Sequence, residues 1–115
     1  MRNFEDLEVW KRGCRLAVSI YNALKDCRDF GLKDQMTRAA VSISSNIAEG
    51  SERRTDKEFV NFLYIAKGSA AELRTQLYIA EQIGAIGHNQ RLELVNDTKE
   101  IGKLLFGLIR SINAS

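Results

Sequence analysis

The sequence predicts an all-α protein, an antiparallel up-down-up-down four-helix bundle occupying residues 1–115 as a single domain. Three observations carry that prediction. Proline is absent from the 115 residues, apolar residues recur every three or four positions through four segments, and the links between those segments are short. Without proline nothing interrupts a long helix, and the abundance of Ala, Leu, Ile, Glu, Lys and Arg favours helix over strand. A chain of this length removes roughly two-thirds of its unfolded surface from water on folding, enough for one cooperative core.

The first segment is expected from Phe4 to Asp26. Glu5, Asp6 and Glu8 suit the positive end of its dipole. Leu7, Trp10, Cys14, Ala17, Tyr21 and Leu24 form the expected inward stripe, widened by Val9, Leu16 and Ile20. Asp29, Phe30 and Gly31 make the connection, with Gly31 expected in a left-handed turn. The second segment runs from about Lys33 to Glu49, with Met36, Ala40, Ile43 and Ile47 inward and Gly50 as its stop. Thr55 and Glu58 have the spacing of a capping box, in which each side chain satisfies a free amide of the other residue.

The third segment carries Phe59, Phe62, Leu63, Ala66, Ala70, Leu73, Leu77 and Ala80 at helical spacing to Ile83, and ends at Gly84. A turn follows, with Asn89 expected to cap the fourth segment. There Leu94, Val95, Thr98, Ile101, Leu105, Leu108, Ile109 and Ile112 face inward. Connections of about five to seven residues force neighbouring helices antiparallel.

Lys and Arg number 17 against 15 acids, a formal charge of +2. That is too slight for net charge alone to mark a nucleic-acid binder, so any basic function rests on a local patch. The longest uncharged run, Ala39 to Ala48, is far shorter than the ~20 apolar residues of a membrane span, and the chain opens without a signal-peptide pattern. A soluble cytoplasmic protein with no membrane partner is expected. Cys14 and Cys27 fall roughly 20 Å apart at helical rise, so they are expected as free thiols. With the sole histidine, His88, they lack zinc-ligand spacing. His88 reads as a loop or helix-start residue. No P-loop, dinucleotide fingerprint or nucleophile elbow occurs, and no Glu-x-x-His pair. The expectation is a non-enzymatic protein without catalytic residues, metal or cofactor.

The second segment is unusual in a chain that is 28% charged. Gln35, Arg38, Ser42, Asn46 and Glu49 share one arc, while Thr37, Val41, Ser44 and Ala48 occupy another. No face has the Lys and Glu of an ordinary solvated surface. Burial on several sides follows, partly inside the bundle and partly against another subunit. Folding the second and third segments back around Arg53 places Asn46 near Asn61 and Ser42 near Ile65. It also places Gln35 and Arg38 near Ser69 and Glu72, with Arg38 and Glu72 expected as a buried pair. Gln35, Arg38, Val41, Ser42, Ser45, Asn46, Ala48, Glu49, Ser69 and Glu72 are therefore the candidate polar seam and oligomer interface. Such a seam fixes register and partner choice more readily than it performs chemistry.

Basic residues form three clusters. Lys67 and Arg74 alternate with Val60, Tyr64, Ala71 and Tyr78 on the third segment, a pattern that can stack bases and contact phosphates or else line a subunit edge. Lys11, Arg12 and Arg15 share a face of the first segment with Glu8, and Arg53, Arg54 and Lys57 make a basic loop tip. These eight residues are the candidate nucleic-acid contacts.

The stretches FEDLEVWKRG and GLKDQMTRAAVSISSNIAEGSERRTDKEFVNFLYIAKGSAAELRTQLYIAEQIG carry a resemblance over nearly the whole chain. Their most specific parts are Phe4, Leu7 and Trp10, the run Ser42 to Gly50, and Gly68-Ser69 followed by Glu72-Leu73. They resemble the four-helix-bundle proteins encoded by intervening sequences in bacterial 23S ribosomal RNA genes. The chain is also similar to the accessory variability determinant of diversity-generating retroelements, a pentameric barrel that binds nucleic acid and its reverse transcriptase. One departure is CRDFG, where relatives often place a proline. The resemblance implies a homopentamer, in which five copies at +2 carry +10. The role of that family is poorly defined, and the leading expectation for this chain is a non-enzymatic, self-associating adaptor for RNA or a nucleic-acid enzyme. The alternative is a structural or protein-interaction module that binds no nucleic acid.

Overall fold

The computed structural model describes residues 3–115. Phe4–Asp6 forms one 3-10 turn, followed by α1 (Glu8–Ala23), α2 (Phe30–Ser51), α3 (Asp56–Gln82) and α4 (His88–Asn113). At 1.5 Å per residue α3 and α4 are roughly 40 Å long, and the molecule measures 45 × 20 × 19 Å. All the long helices therefore lie along one axis. Links of four to six residues cannot run the length of the bundle, so successive helices alternate in direction. α1 packs on α2, α2 on α3, α3 on α4 and α4 on α1, while the backbones of diagonal pairs stay more than 8 Å apart between Cα atoms. The expected all-α four-helix fold is the observed one.

Helix ends follow local chemistry, and several differ from expectation. The chain is extended at Leu7, so α1 starts at Glu8 rather than Phe4. Phe4 folds back with its ring edge-on to Trp10, centroids 5.2 Å apart. Asp29 caps α2 by accepting from the Leu32 amide at 3.1 Å, which draws Phe30 and Gly31 into the helix instead of a turn. α2 also runs through Gly50 to Ser51. Thr55 accepts from the Glu58 amide at 3.1 Å, but the Glu58 carboxylate accepts from the Thr55 hydroxyl rather than its amide. The expected stop of α3 at Gly84 is near the observed one, and it is Gly84, at φ +78°, rather than Gly31 that takes the left-handed conformation. Asn89 is not the cap of α4. The cap is Gly87, two residues earlier, whose amide donates to the Gln90 side chain at 2.9 Å.

The core is a column running the length of the bundle, with Ile20, Leu24, Met36, Ile43, Ile47, Phe59, Leu63, Leu73, Leu77, Ile101 and Leu105 all sealed from solvent. The inward stripes expected for α2, α3 and α4 are the buried ones, apart from Phe62, Leu108 and Ile112, which are half-buried. α1 is rotated from expectation. Val9, Gly13, Leu16 and Ile20 are its buried residues, whereas Trp10, Cys14 and Ala17 are half-buried and Tyr21 is exposed. Gly13 explains the rotation: a Cβ there would lie 2.3 Å from Ser44 Oγ, so α2 rests directly on the α1 backbone.

Candidate self-association face and nucleic-acid interface

α2 sits between α1 and α3, and much of its uncharged character is used inside the protomer. Thr37 and Ser44 are buried. The Thr37 hydroxyl donates to the Lys33 carbonyl at 2.9 Å, and Ser44 donates to the Trp10 carbonyl at 3.2 Å. Towards α3, Ser42 donates to Ser69, and Asn46 donates to the Ser42 carbonyl at 2.7 Å. The Ser42–Ser69 bond sets the α2–α3 register one helical turn away from the expected Ser42–Ile65 pairing. Gly50 lies against Phe62 in the same register, so α3 begins beyond the end of α2 and the reversal is centred after Arg53. Arg38 and Glu72 therefore do not form a buried pair. Both are exposed, and Arg38 donates to Asp34 on its own helix at 2.9 Å. One buried polar atom, Gln76 Oε1, has no partner among the described residues, at a cost of about 1–3 kcal/mol.

What remains of the candidate interface is an outward strip of α2: Gln35, Arg38, Val41, Ser45 and Glu49 are exposed and Ala48 is half-buried. On the α1 side it continues into a shallow depression of about 550 Å³ lined by Tyr21, Arg38, Val41 and Ser45. Val41 is 42% exposed, Tyr21 52% and nearby Val18 60%. Apolar side chains thus cluster on this edge of the bundle.

The candidate cations part company. Arg12 and Arg15 both face Glu8, at 3.5 and 3.3 Å. They also line a hollow of about 460 Å³ between α1 and α4 that contains Asp97 and Glu100. The Asp97 carboxyl is pushed up, first by burial and then by Glu93, with Arg12 opposing. Lys11 is exposed nearby. Arg53 stacks on Phe62, 4.8 Å from the ring centroid, and lies 3.9 Å from Glu49, while Arg54 and Lys57 are exposed at the end of the bundle.

Lys67 and Arg74 form the basis of a site. Both line a groove of about 400 Å³ between α3 and α4, together with Lys99 and Lys103 from α4. Its floor is Ala70, Ala71 and Gly102, and Phe106 closes one end with the Lys67 ammonium 5.3 Å from its ring centroid. The α4 half escaped sequence reasoning, although Lys99, Lys103, Phe106 and Arg110 recur at helical spacing and were readable on the same wheel. Beyond the other end, Arg91 stacks on Tyr78 at 4.9 Å and binds Glu81 at 2.6 Å. His88 Nδ1 lies 3.0 Å from Glu81 and so has an acidic partner that spacing did not reveal. Arg91 and His88 together hold the Glu81 carboxyl below its ordinary range.

Among the described residues no His, Cys, Asp or Glu group is arranged to hold a metal, Cys14 and Cys27 are free thiols, and no helix is long and apolar enough to cross a membrane. Fold and surfaces together define a small all-α protein of four helices. The chain belongs to the 23S rRNA-intervening sequence protein family, whose family model matches residues 5–107. It is similar to a crystal structure from Bacteroides thetaiotaomicron VPI-5482, described as a protein of unknown function from the S23 ribosomal protein family. The two share 30% identity and a TM-score of 0.82 over 88% of this chain and 97% of that one. No curated protein matches the chain.

Proposed function

We propose that this protein is a non-enzymatic, self-associating cytoplasmic bundle, a homopentamer that serves as an adaptor for RNA or for a nucleic-acid enzyme. The observation that supports this reading most is the outward strip of α2. A solvated helix face of this length ordinarily carries mixed Lys and Glu, whereas here, between Arg38 and Glu49, Val41 and Ser45 border a depression shared with exposed Tyr21. Clustered exposed apolar groups of this kind mark association surfaces. Assembly repeats each protomer's basic surface around the particle and strengthens weak phosphate contacts through multivalency.

Light scattering of the purified protein tests the assembly. A mass several times that of the protomer is expected, with Val41→Glu and Ala48→Glu each shifting it to smaller species. A wild-type protein that stays monomeric at high concentration, or variants of unchanged mass, rejects the α2 interface. A second reading, an interaction module with no nucleic-acid role, draws support from the local pairing of Arg12, Arg15 and Arg53 with Glu8 and Glu49. RNA binding that weakens steeply with salt discards that second reading.

A further inference from the structure

We infer that the groove between α3 and α4 binds single-stranded nucleic acid, the bases stacking on its aromatic end and the phosphates running between its cationic banks. This rests on the adaptor reading above and assigns it a site. Lys67 and Arg74 stand on one bank and Lys99 and Lys103 on the other, with no acid among the lining residues. Four cations converge here in a chain whose whole net charge is +2. The Lys103 ammonium has one acidic neighbour, Glu100, at 3.8 Å on α4. Charge complementarity therefore selects an anion.

The shape selects an extended one with flat apolar parts. Phe106 is 49% exposed at one end, with Tyr64 nearby on α3, and Tyr78 lies past the other end. Tyr64 and Tyr78 are fourteen positions apart, roughly 21 Å of helix, and flank Lys67 and Arg74 along one line. Unpaired bases present π-faces to such a line, while the bases of a duplex are already stacked and covered. Lys67 and Arg110 both rest over the Phe106 ring, 5.3 and 5.8 Å from its centroid. An arriving base takes the ring face, and the Lys67 ammonium turns to the phosphate beside it.

Gly102 fits the same arrangement. A glycine within a helix costs about 1 kcal/mol relative to alanine. A Cβ at Gly102 would meet nothing within 4 Å, as at Gly68 and Gly107, so packing within the protomer requires none of the three, and of them Gly102 alone lines the groove. What the missing side chain does is keep the groove floor low between Lys99 and Phe106.

Fluorescence anisotropy with a labelled single-stranded oligouridine RNA, at several salt concentrations, tests the assignment on the full-length protein. Four phosphate contacts give a slope of log K against log salt of about −3. Gly102→Leu fills the floor, Phe106→Ala removes the stacking ring, and Lys99→Gln with Lys103→Gln removes one bank. Each is expected to weaken binding tenfold or more while the helical circular dichroism spectrum is retained, and the double variant also to flatten the salt slope. Lys25→Gln with Arg28→Gln, two exposed cations outside the eight candidate contacts, is the control and is expected to change affinity less than twofold. If that control abolishes binding and the groove variants do not, the groove assignment falls while RNA binding stands. Binding of duplex RNA as tight as single-stranded RNA, or equal competition by inorganic polyphosphate, overturns the stacking arrangement. No RNA binding at low salt overturns both the groove and the RNA part of the adaptor reading, leaving self-association to its own test.

Discussion

The two seams of α3 are built to opposite ends. Towards α2 the helices meet almost backbone to side chain. Gly50 leaves no room for a Cβ, which would fall 2.5 Å from Phe62 Cβ and 3.1 Å from Phe59. Ser42 and Ser69 bond across the same seam. Towards α4 the floor is equally small, at Ala70, Ala71 and Gly102, yet nothing fills the space above it and four cations stand around it. Small residues let helix axes approach in the first seam and leave a groove in the second. A glycine's role in a helix is thus decided by what its absent Cβ would meet.

Substituting the glycines breaks or sharpens that contrast. Gly50→Ala forces its methyl against the root of the Phe62 side chain, which cannot rotate away, and overpacking of this kind costs about 2–3 kcal/mol. Gly13→Ala is milder, about 1–2 kcal/mol on the same scale. Its nearest neighbour is the Ser44 hydroxyl, which can turn aside only by giving up the Trp10 carbonyl. Urea unfolding followed by circular dichroism reads both. A Gly50→Ala protein as stable as the parent would show that α2 and α3 are not held at this distance.

Gly102→Ala should move stability the other way. With open space around the new methyl, the helix gains up to about 1 kcal/mol, so the unfolding midpoint rises. A midpoint that falls would mean that the α3–α4 seam is as tightly closed as the α2–α3 seam.

The fold was legible in the sequence because helical periodicity reports burial directly, and α2, α3 and α4 each bury the stripe that their spacing marks. α1 was read a fraction of a turn off. Its apolar residues cover a wide arc, and only the contact between Gly13 and Ser44 decides which part faces inward. The α2–α3 register was missed by a turn for a similar reason: the link 52–55 does not reveal where the chain reverses, whereas Gly50 against Phe62 does. Of the surfaces, the α2 strip was visible as missing charge. Only the α3 bank of the groove was marked, because Lys67 and Arg74 lie beside Tyr64 and Tyr78 in one segment, while Lys99 and Lys103 join them only through packing. Arg38 and Glu72 illustrate the converse. Opposite charges on facing helices invited a pairing that Asp34, one turn from Arg38, already satisfies.

The smallest expected effect compares the α1–α4 seam with the turn between α3 and α4, through two carboxylates perturbed in opposite directions. Asp97 is half-buried beside Glu93 and Glu100, with Arg12 the cation opposing them, and its folded pKa is raised from 3.8. Below that value both folded and unfolded chains hold the proton. As pH climbs towards the raised folded value, the unfolded chain releases its proton first and stability falls, then stays lower. Asp97→Asn removes this penalty, so its thermal midpoint should exceed the parent's above that window and meet it at lower pH, by an amount within about 0.5 kcal/mol. Glu81 is lowered from 4.5 by Arg91 and then His88. Its contribution is present above the ordinary value and lost as pH falls through the lowered one. Glu81→Gln should therefore be less stable than the parent at neutral pH and converge with it in acid. Midpoints measured from acid to neutral pH should show the two differences opening with opposite sign, and equal signs would place Asp97 among favourable partners instead of repelling ones.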